Sequence, residues 1–184
     1  MPSNIARVLG PVVRVTRVVW FALLTSLPIY AVLARLVSPR EPGAIPPPAL
    51  LATFATVALG LAFAALTLPR VSPSDALLAR IVGQEPSPET IALALAPARV
   101  DAELLGPLDP IERRLVMITP VFRSQAILRA ALAEGIGILG FVFAILSGSF
   151  LYVVPFTGLG LLIMLLVFPR IEPLIERARP LARP

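Results

Sequence analysis

Four long apolar stretches alternate with segments rich in charged residues and proline along this chain. They run from about Val18 to Leu36, Pro48 to Leu68, Ala126 to Ser147 and Phe150 to Phe168. A helix needs about 20 mostly apolar residues to cross the hydrocarbon core of a bilayer. Such a helix satisfies its own backbone hydrogen bonds inside lipid. The pattern therefore predicts an all-α membrane protein with four transmembrane helices.

The second and fourth apolar stretches end in closely related sequence. Leu68–Pro73 (LPRVSP) lies one hundred positions before Phe168–Pro173 (FPRIEP), and Leu59–Leu61 stands in the same relation to Leu159–Leu161. Since each neighbouring pair of apolar stretches can form a hairpin, this internal repeat predicts two tandem hairpins of equal orientation. Such repeats are related by an axis along the membrane normal.

The repeat divides the chain into three predicted parts. Residues 1–70 form the first transmembrane hairpin with its N-terminal flank, and residues 124–184 form the second hairpin with a basic tail. Residues 71–123 lie between them as a cytoplasmic or interfacial linker. We expect this linker to carry short helices on the membrane surface or against the helix ends, with a loosely ordered segment as the alternative.

Three proline-containing pairs predict where these short helices begin. Ser72, Ser87 and Asp109 each precede a proline, which is typical of an N-cap followed by the first helical residue. Gly83 is a predicted C-terminal stop for the first of the three helices. Ser124 is predicted to cap the third transmembrane helix.

The positions of the arginines predict the orientation. All 16 basic residues are Arg, a usage typical of a high-GC bacterial genome, and only Arg35 and Arg40 fall opposite the linker and both termini. Because positive residues favour the cytoplasmic side, the chain is predicted to be a multi-pass protein of the bacterial inner membrane with cytoplasmic termini. The net charge of +5 then suits anionic lipid headgroups better than nucleic acid. The arginines predicted to contact headgroups are Arg17, Arg70, Arg170, Arg177 and Arg179.

The amino-acid composition excludes several kinds of catalytic and metal-binding site. The chain is 57% hydrophobic with a mean hydropathy of +0.88, and it contains neither cysteine nor histidine. There is consequently no thiolate nucleophile, no disulfide, no imidazole base and no histidine, the commonest metal ligand. The acids of the linker show no tight motif and fit helix caps and partners for arginine. We predict that the protein is not an enzyme and holds neither cofactor nor metal.

Glu134 is the one acidic residue well inside a predicted span. Ionisable groups in that position are costly and mark either a function or a pairing. One interpretation is a proton- or cation-binding carboxylate. The other is a structural side chain that forms a hydrogen bond across the helix pair, or that extends toward the surface near Arg129 or Arg17.

Small residues line one face of the third apolar stretch at alternating spacings of three and four. Such faces allow close helix packing in membranes, and we also assign packing roles to Gly60 and Gly160 in the second and fourth stretches. A further small stripe, on the second stretch, contains Thr53, Thr56, Gly60, Ala64 and Thr67. The predicted packing residues of the third stretch are Ala126, Ala130, Ala133, Gly137, Gly140 and Ala144.

The segment Ala130–Phe141 (AALAEGIGILGF) resembles the carboxylate helix of the ring proteolipids of rotary ATPases. The resemblance covers about a dozen residues and implies an ion-binding role for Glu134. In that family the carboxylate usually lies on the second helix of its hairpin, whereas Glu134 lies on the first. The linker here is also much longer, and the predicted orientation is opposite to that of the bacterial ring subunits.

These observations predict an integral membrane structural or accessory subunit without catalytic activity. It would assemble through small-residue helix faces, as a homo-oligomer or within a larger membrane complex. The alternative is a proton- or cation-handling carrier, or a ring-type proteolipid, that uses Glu134.

Overall fold

The computed structural model describes residues 3–37, 46–67, 75–98, 100, 105–106 and 108–182. Within these residues the protein is helical and contains no strand, which confirms the all-α class. The α-helices are α1 (Ser3–Val37), α2 (Pro48–Thr67), α3 (Asp75–Gly83), α4 (Pro88–Leu95), α5 (Pro110–Val116), α6 (Thr119–Ser147), α7 (Val153–Leu166) and α8 (Glu172–Ala178). Short 3₁₀ turns follow α4, precede α7 and follow α8.

The chain folds into two compact units. The first unit combines Met1–Val19, Val71–Ala126 and Pro169–Pro184, and the second combines Trp20–Arg70 with Ile127–Phe168. Each unit is therefore assembled from separate stretches of sequence. The predicted linker belongs to the first unit together with residues from both ends of the chain.

The first unit has a core of large apolar side chains. Ile5, Val8, Leu9 and Val12 of α1 are buried at the spacing of one helix face. They share this core with residues of α3, α4, α5, α8 and the beginning of α6. In the part of the chain that is described, the short helices are thus ordered around a common core.

Two of the three predicted helix starts in the linker are confirmed. The Ser87 side chain accepts a hydrogen bond from the Thr90 amide (3.2 Å). Asp109 accepts from the Glu112 amide (2.6 Å), and the Glu112 carboxylate accepts from the Asp109 amide (3.3 Å), which is a reciprocal capping box. The helix that begins at Asp75 ends at Gly83, as predicted. Ser72 lies outside the described residues.

Helices α1 and α6 begin earlier than the sequence predicted. Ser124 is not an N-cap but an interior residue of α6, which begins at Thr119. Pro120 is tolerated because it lies in the first turn, where its missing amide is not needed. The predictions located only the apolar spans, whereas these helices continue upstream through residues such as Val12 and Phe122, which are buried in the first unit.

In the described part of the chain, three helical stretches are long and apolar enough to cross a membrane. They are Asn4–Val37, Pro48–Thr67 and Pro110–Ser147, the last of which contains α6. Helix α7 has 14 residues, which at about 1.5 Å per residue falls short of a hydrocarbon core about 30 Å thick. With the preceding 3₁₀ turn, the apolar stretch runs over Phe150–Leu166. The structure therefore supports a membrane protein, and three of its helices have the required length.

The turn between α6 and α7 is tight and contains Ser147, Gly148 and Ser149. Gly148 has a φ of 67°, a left-handed conformation that glycine adopts without steric cost. The Ser149 amide donates to the Ala144 carbonyl (3.1 Å) and the Gly148 amide donates to the Ile145 carbonyl (3.2 Å). This pair of bonds is a Schellman motif, which satisfies carbonyls at the end of α6.

Within the second unit, α2 buries only small side chains, and many large apolar side chains of the unit are exposed. The buried residues of α2 are Ala58, Ala62 and Ala65. This distribution suits a helix bundle surrounded by lipid, in which burying large apolar groups between helices brings little advantage over lipid contact. Its exposed large apolar side chains include Phe21, Ile29, Leu36, Leu59, Phe63, Leu146, Leu162, Leu165 and Leu166.

Three glycines allow close helix contacts in the second unit. A Cβ atom at Gly137 would overlap the end of the Leu27 side chain, and one at Gly140 would overlap the Cβ of Phe156. At Gly160, a Cβ atom would lie 3.0 Å from the Ala133 carbonyl oxygen. Helices α1, α6 and α7 therefore approach one another where these residues lack side chains.

We predict that Gly140→Ala destabilises the protein, because the stem of Phe156 cannot move aside as a flexible side-chain end can. The expected cost is about 1–3 kcal/mol in the free energy of unfolding. The matched control is Gly158→Ala on α7, where a Cβ atom would meet nothing within 4 Å. That control should be neutral or stabilising by up to about 1 kcal/mol. Denaturant unfolding in detergent micelles measures both, and equal stabilities would contradict the packing.

Candidate functional site

Glu134 lies half-buried on α6 and meets two hydroxyl groups of α1. The Ser26 Oγ is 2.7 Å from Glu134 Oε1, and the Tyr30 hydroxyl donates to the same oxygen at 2.9 Å. The Ser26 Oγ also lies 2.7 Å from the Leu23 carbonyl oxygen. We call Ser26, Tyr30 and Glu134 the carboxylate cluster.

The separation of Ser26 and Tyr30 along α1 explains how this cluster forms. Ser26 and Tyr30 are four residues apart and therefore lie on the same face of the helix. Leu27, which is fully buried, packs over Gly137 one turn beyond Glu134. The glycine thus permits α1 and α6 to come close enough for short side chains to bridge them.

Few other charges exist in this part of the molecule. Helices α2 and α7 contain no ionisable residue. Arg35 lies over the Phe150 ring, 5.8 Å from its centroid, in a cation–π contact. Within the described residues, no arginine forms an ion pair with Glu134. A hydrogen bond across the helix pair is therefore what the structure shows, which is one of the two forms of the structural interpretation of Glu134.

Most of the predicted small-residue face is buried inside the chain itself. Gly160 of α7 belongs to the same contact, opposite Ala133. The hydrogen bonds of Glu134 and the close contacts at the glycines hold α6 against α1 and α7. The predicted small residues of α6 that are buried are Ala126, which belongs to the first unit, and Ala130, Ala133, Gly137, Gly140 and Ala144.

Gly60 is the exception, because the structure does not bring it into a packed contact. It is exposed, and a Cβ atom there would meet nothing within 4 Å. At about 100° per residue, Gly60 lies about 160° round α2 from Ala58 and Ala62, which form the buried face. Its neighbours Thr53 and Thr56 are exposed as well.

The arginines predicted to contact lipid headgroups differ in their surroundings. Arg170 and Arg177 are exposed, whereas Arg17 and Arg179 are half-buried. Arg177 binds Asp75 at 2.7 Å and so links α8 to α3, although an exposed pair of this kind stabilises by only about 0–1 kcal/mol. Arg70 lies outside the described residues. Contact of these side chains with lipid stays a prediction.

Sequence reasoning missed Ser26 and Tyr30 as partners of Glu134. Trp20, on the same helix, is buried, and it forms edge-to-face contacts with the Phe21 and Phe168 rings at centroid distances of 4.9 and 5.1 Å. The available signal was the pair of hydroxyl residues four apart on an otherwise apolar helix face.

Comparison with known proteins adds no assignment. No family model, curated protein or solved structure matches the chain. Among the residues that the structure describes, no three His, Cys, Asp or Glu side chains come together. The carboxylate cluster and the exposed face of α2 are therefore the features from which a function has to be argued.

Proposed function

We propose that this protein is an integral membrane structural or accessory subunit that performs no catalysis, holds no cofactor and assembles through a small-residue helix face. The observation that carries the proposal is the exposed side of α2. Thr53, Thr56 and Gly60 lie there side by side, while the opposite side of α2 packs within the chain. Among the residues that the structure describes, no other helix covers this α2 face, which belongs to the predicted packing surface.

Helix association in lipid depends on close packing rather than on the hydrophobic effect, and small residues permit it. The small residues of α6 and Gly160 of α7 are already used inside the second unit. The α2 face is thus left for a second copy of the chain or for another membrane subunit. The Thr53 hydroxyl donates to the Ala49 carbonyl at 2.8 Å. The hydrogen bond of this hydroxyl is therefore satisfied within α2, and the methyl group of Thr53 is free to pack against a neighbouring helix.

We further propose that the chain crosses the bacterial inner membrane four times, as two tandem hairpins with cytoplasmic termini. Three helices have the length for this role, and the fourth span would be the apolar stretch Phe150–Leu166. A span shorter than the bilayer is accommodated by local thinning, at a modest cost. The distribution of arginines supports the orientation, and exposed Arg170 would contact anionic headgroups.

A second candidate function is favoured by the carboxylate cluster. Glu134 lies in an apolar surrounding with two neutral hydroxyl groups and, among the described residues, no ion-pair partner. Carboxylates in membranes commonly belong to proton or ion pathways. The protein would then be a proton- or cation-handling carrier or a ring-type proteolipid.

The Gly60→Leu variant tests assembly. A leucine there would hold the backbones of two α2 helices apart, so the native mass of the gently solubilised protein should fall toward that of one chain. Native mass spectrometry measures this. The matched control is Gly158→Leu on α7. A Cβ atom at Gly158 would also meet nothing within 4 Å, but the neighbouring exposed residues on that side of α7, Val154 and Leu162, are large.

Loss of assembly in Gly60→Leu with retention in Gly158→Leu is the expected result. An unchanged assembly in both variants would contradict the role of the α2 face. A uniform ring of many copies in the unmodified protein would favour the proteolipid alternative over an accessory subunit.

Single cysteines test the topology, since the natural chain has none. Gln84→Cys places a thiol on an exposed residue of the first unit, and Gly43→Cys places one in the predicted outer loop. A membrane-impermeant maleimide added to intact cells should label Gly43→Cys, and should label Gln84→Cys only after the membrane is opened. Labelling of both from outside would contradict the proposed orientation.

A further inference from the structure

We propose that Arg129 binds the phosphate group of an anionic lipid at the end of the second unit where α6 enters it. Arg129 is not among the arginines predicted to contact headgroups. The inference deepens the proposed function and rests on the location of the second unit in a membrane, because it names a partner for one side chain there. It does not depend on assembly through the α2 face.

Arg129 is half-buried on α6 and has no partner among the residues that the structure describes. Its Nε atom is buried and forms no hydrogen bond, and its guanidinium group forms no ion pair with a described residue. A guanidinium group keeps its charge in proteins and carries five N–H donors. Since an uncompensated charge in an apolar bundle is costly, Arg129 calls for an anionic acceptor.

The second unit offers no counter-charge for Arg129 within its described residues. Glu134 is the one acidic residue among them, and it bonds Ser26 and Tyr30 of α1. Arg129 lies five residues before Glu134, which places the two side chains about 140° apart around α6 at about 100° per residue. Helices α2 and α7 contain no ionisable side chain. The compensating anion therefore comes from the surroundings of the unit.

A second donor without an acceptor, the indole Nε1 of Trp20, lies at the same level of the unit. Trp20 is 3% exposed, and its Nε1 forms no hydrogen bond with a described residue. Helices α1 and α6 run in the same direction, because Leu27 lies against Gly137 and later residues of both helices meet in a further buried cluster. Seven residues before this contact, the two helices carry Trp20 and Ala130, which share one core. Arg129 is the neighbour of Ala130, so both donors lie at one end of the unit.

The position of Arg129 matches the phosphate layer of a bilayer. The apolar span of α6 is predicted to begin at about Ala126, three residues before Arg129. Helical side chains point back toward the N-terminus of their helix, so the arginine can keep its stem in the apolar region and its charged group at the headgroups. A guanidinium group can donate two parallel hydrogen bonds to a phosphate, and anionic lipids supply that phosphate at the membrane surface.

Quenching of tryptophan fluorescence by brominated lipids tests this site, because Trp20 is the only tryptophan of the chain. The full-length protein is reconstituted in phosphatidylcholine liposomes that contain a rising fraction of brominated phosphatidylglycerol. Brominated phosphatidylcholine serves as the neutral reference, and bromine quenches only at short range. We expect the anionic lipid to bind about fivefold more tightly than the neutral one, which corresponds to the attraction of one arginine near an anionic surface.

Arg129→Gln should remove this preference and leave Trp20 buried, since it removes the charge and keeps a polar side chain. The matched control is Arg35→Gln, which removes the same charge from the same unit, about 20 Å further along α1 from Trp20. This control should retain the preference. Should Arg129→Gln fail to fold, Arg129→Lys replaces it. Lysine keeps the charge but lacks the planar fork of donors, so the preference should fall without disappearing.

Three results would overturn the inference. The first is equal quenching by both lipids in the unmodified protein. The second is an unchanged preference in folded Arg129→Gln. The third is loss of the preference on adding inorganic phosphate at constant ionic strength, which would identify a soluble anion as the ligand. Absence of quenching by either lipid would contradict the proposed membrane location and this site with it, so the two failures are distinguishable.

Discussion

A carboxyl group inside an apolar helix bundle has to find its hydrogen-bond partners within the bundle. Glu134 finds them on α1, where Ser26 and Tyr30 meet a single oxygen at 2.7 and 2.9 Å. Hydrogen bonds between membrane helices contribute on average about 0.6 kcal/mol and at most about 1.7 kcal/mol. Their effect on geometry is larger, because they fix which faces of α1 and α6 oppose each other.

The glycine contacts of α6 depend on the same alignment. Leu27 can pack over Gly137 only while Ser26 and Tyr30 face Glu134, since all three residues lie within one turn and a half of α1. Gly140 in turn receives Phe156, and Gly160 lies against Ala133. Polar bonding and small-residue packing therefore select one arrangement of α1, α6 and α7. The α2 helix joins this unit through alanines and leaves its Thr53–Gly60 side exposed.

Local features of the fold were predictable from the sequence, and long-range ones were not. The caps at Ser87 and Asp109 and the Ser147–Ser149 turn depend on neighbouring residues, so their sequence patterns suffice. The early starts of α1 and α6 were missed because a search for apolar spans ignores a helix that continues as one face of a second core. Gly60 is predicted to be a packing residue, but a small residue alone does not reveal whether its side of α2 packs within the chain or remains exposed. The Ser26 partner of Glu134 lies 108 residues away, and no local pattern connects the two.

A cysteine pair can test the contact between Ser26 and Glu134, because the chain has no cysteine of its own. Ser26→Cys with Glu134→Cys should be joined by a short thiol cross-linker, so that chemical cleavage at Met117 leaves the two fragments attached. The pair Thr25→Cys with Glu134→Cys should separate on cleavage, because Thr25 is exposed on another side of α1. Efficient joining of the Thr25 pair, or no joining of the Ser26 pair, would contradict the account.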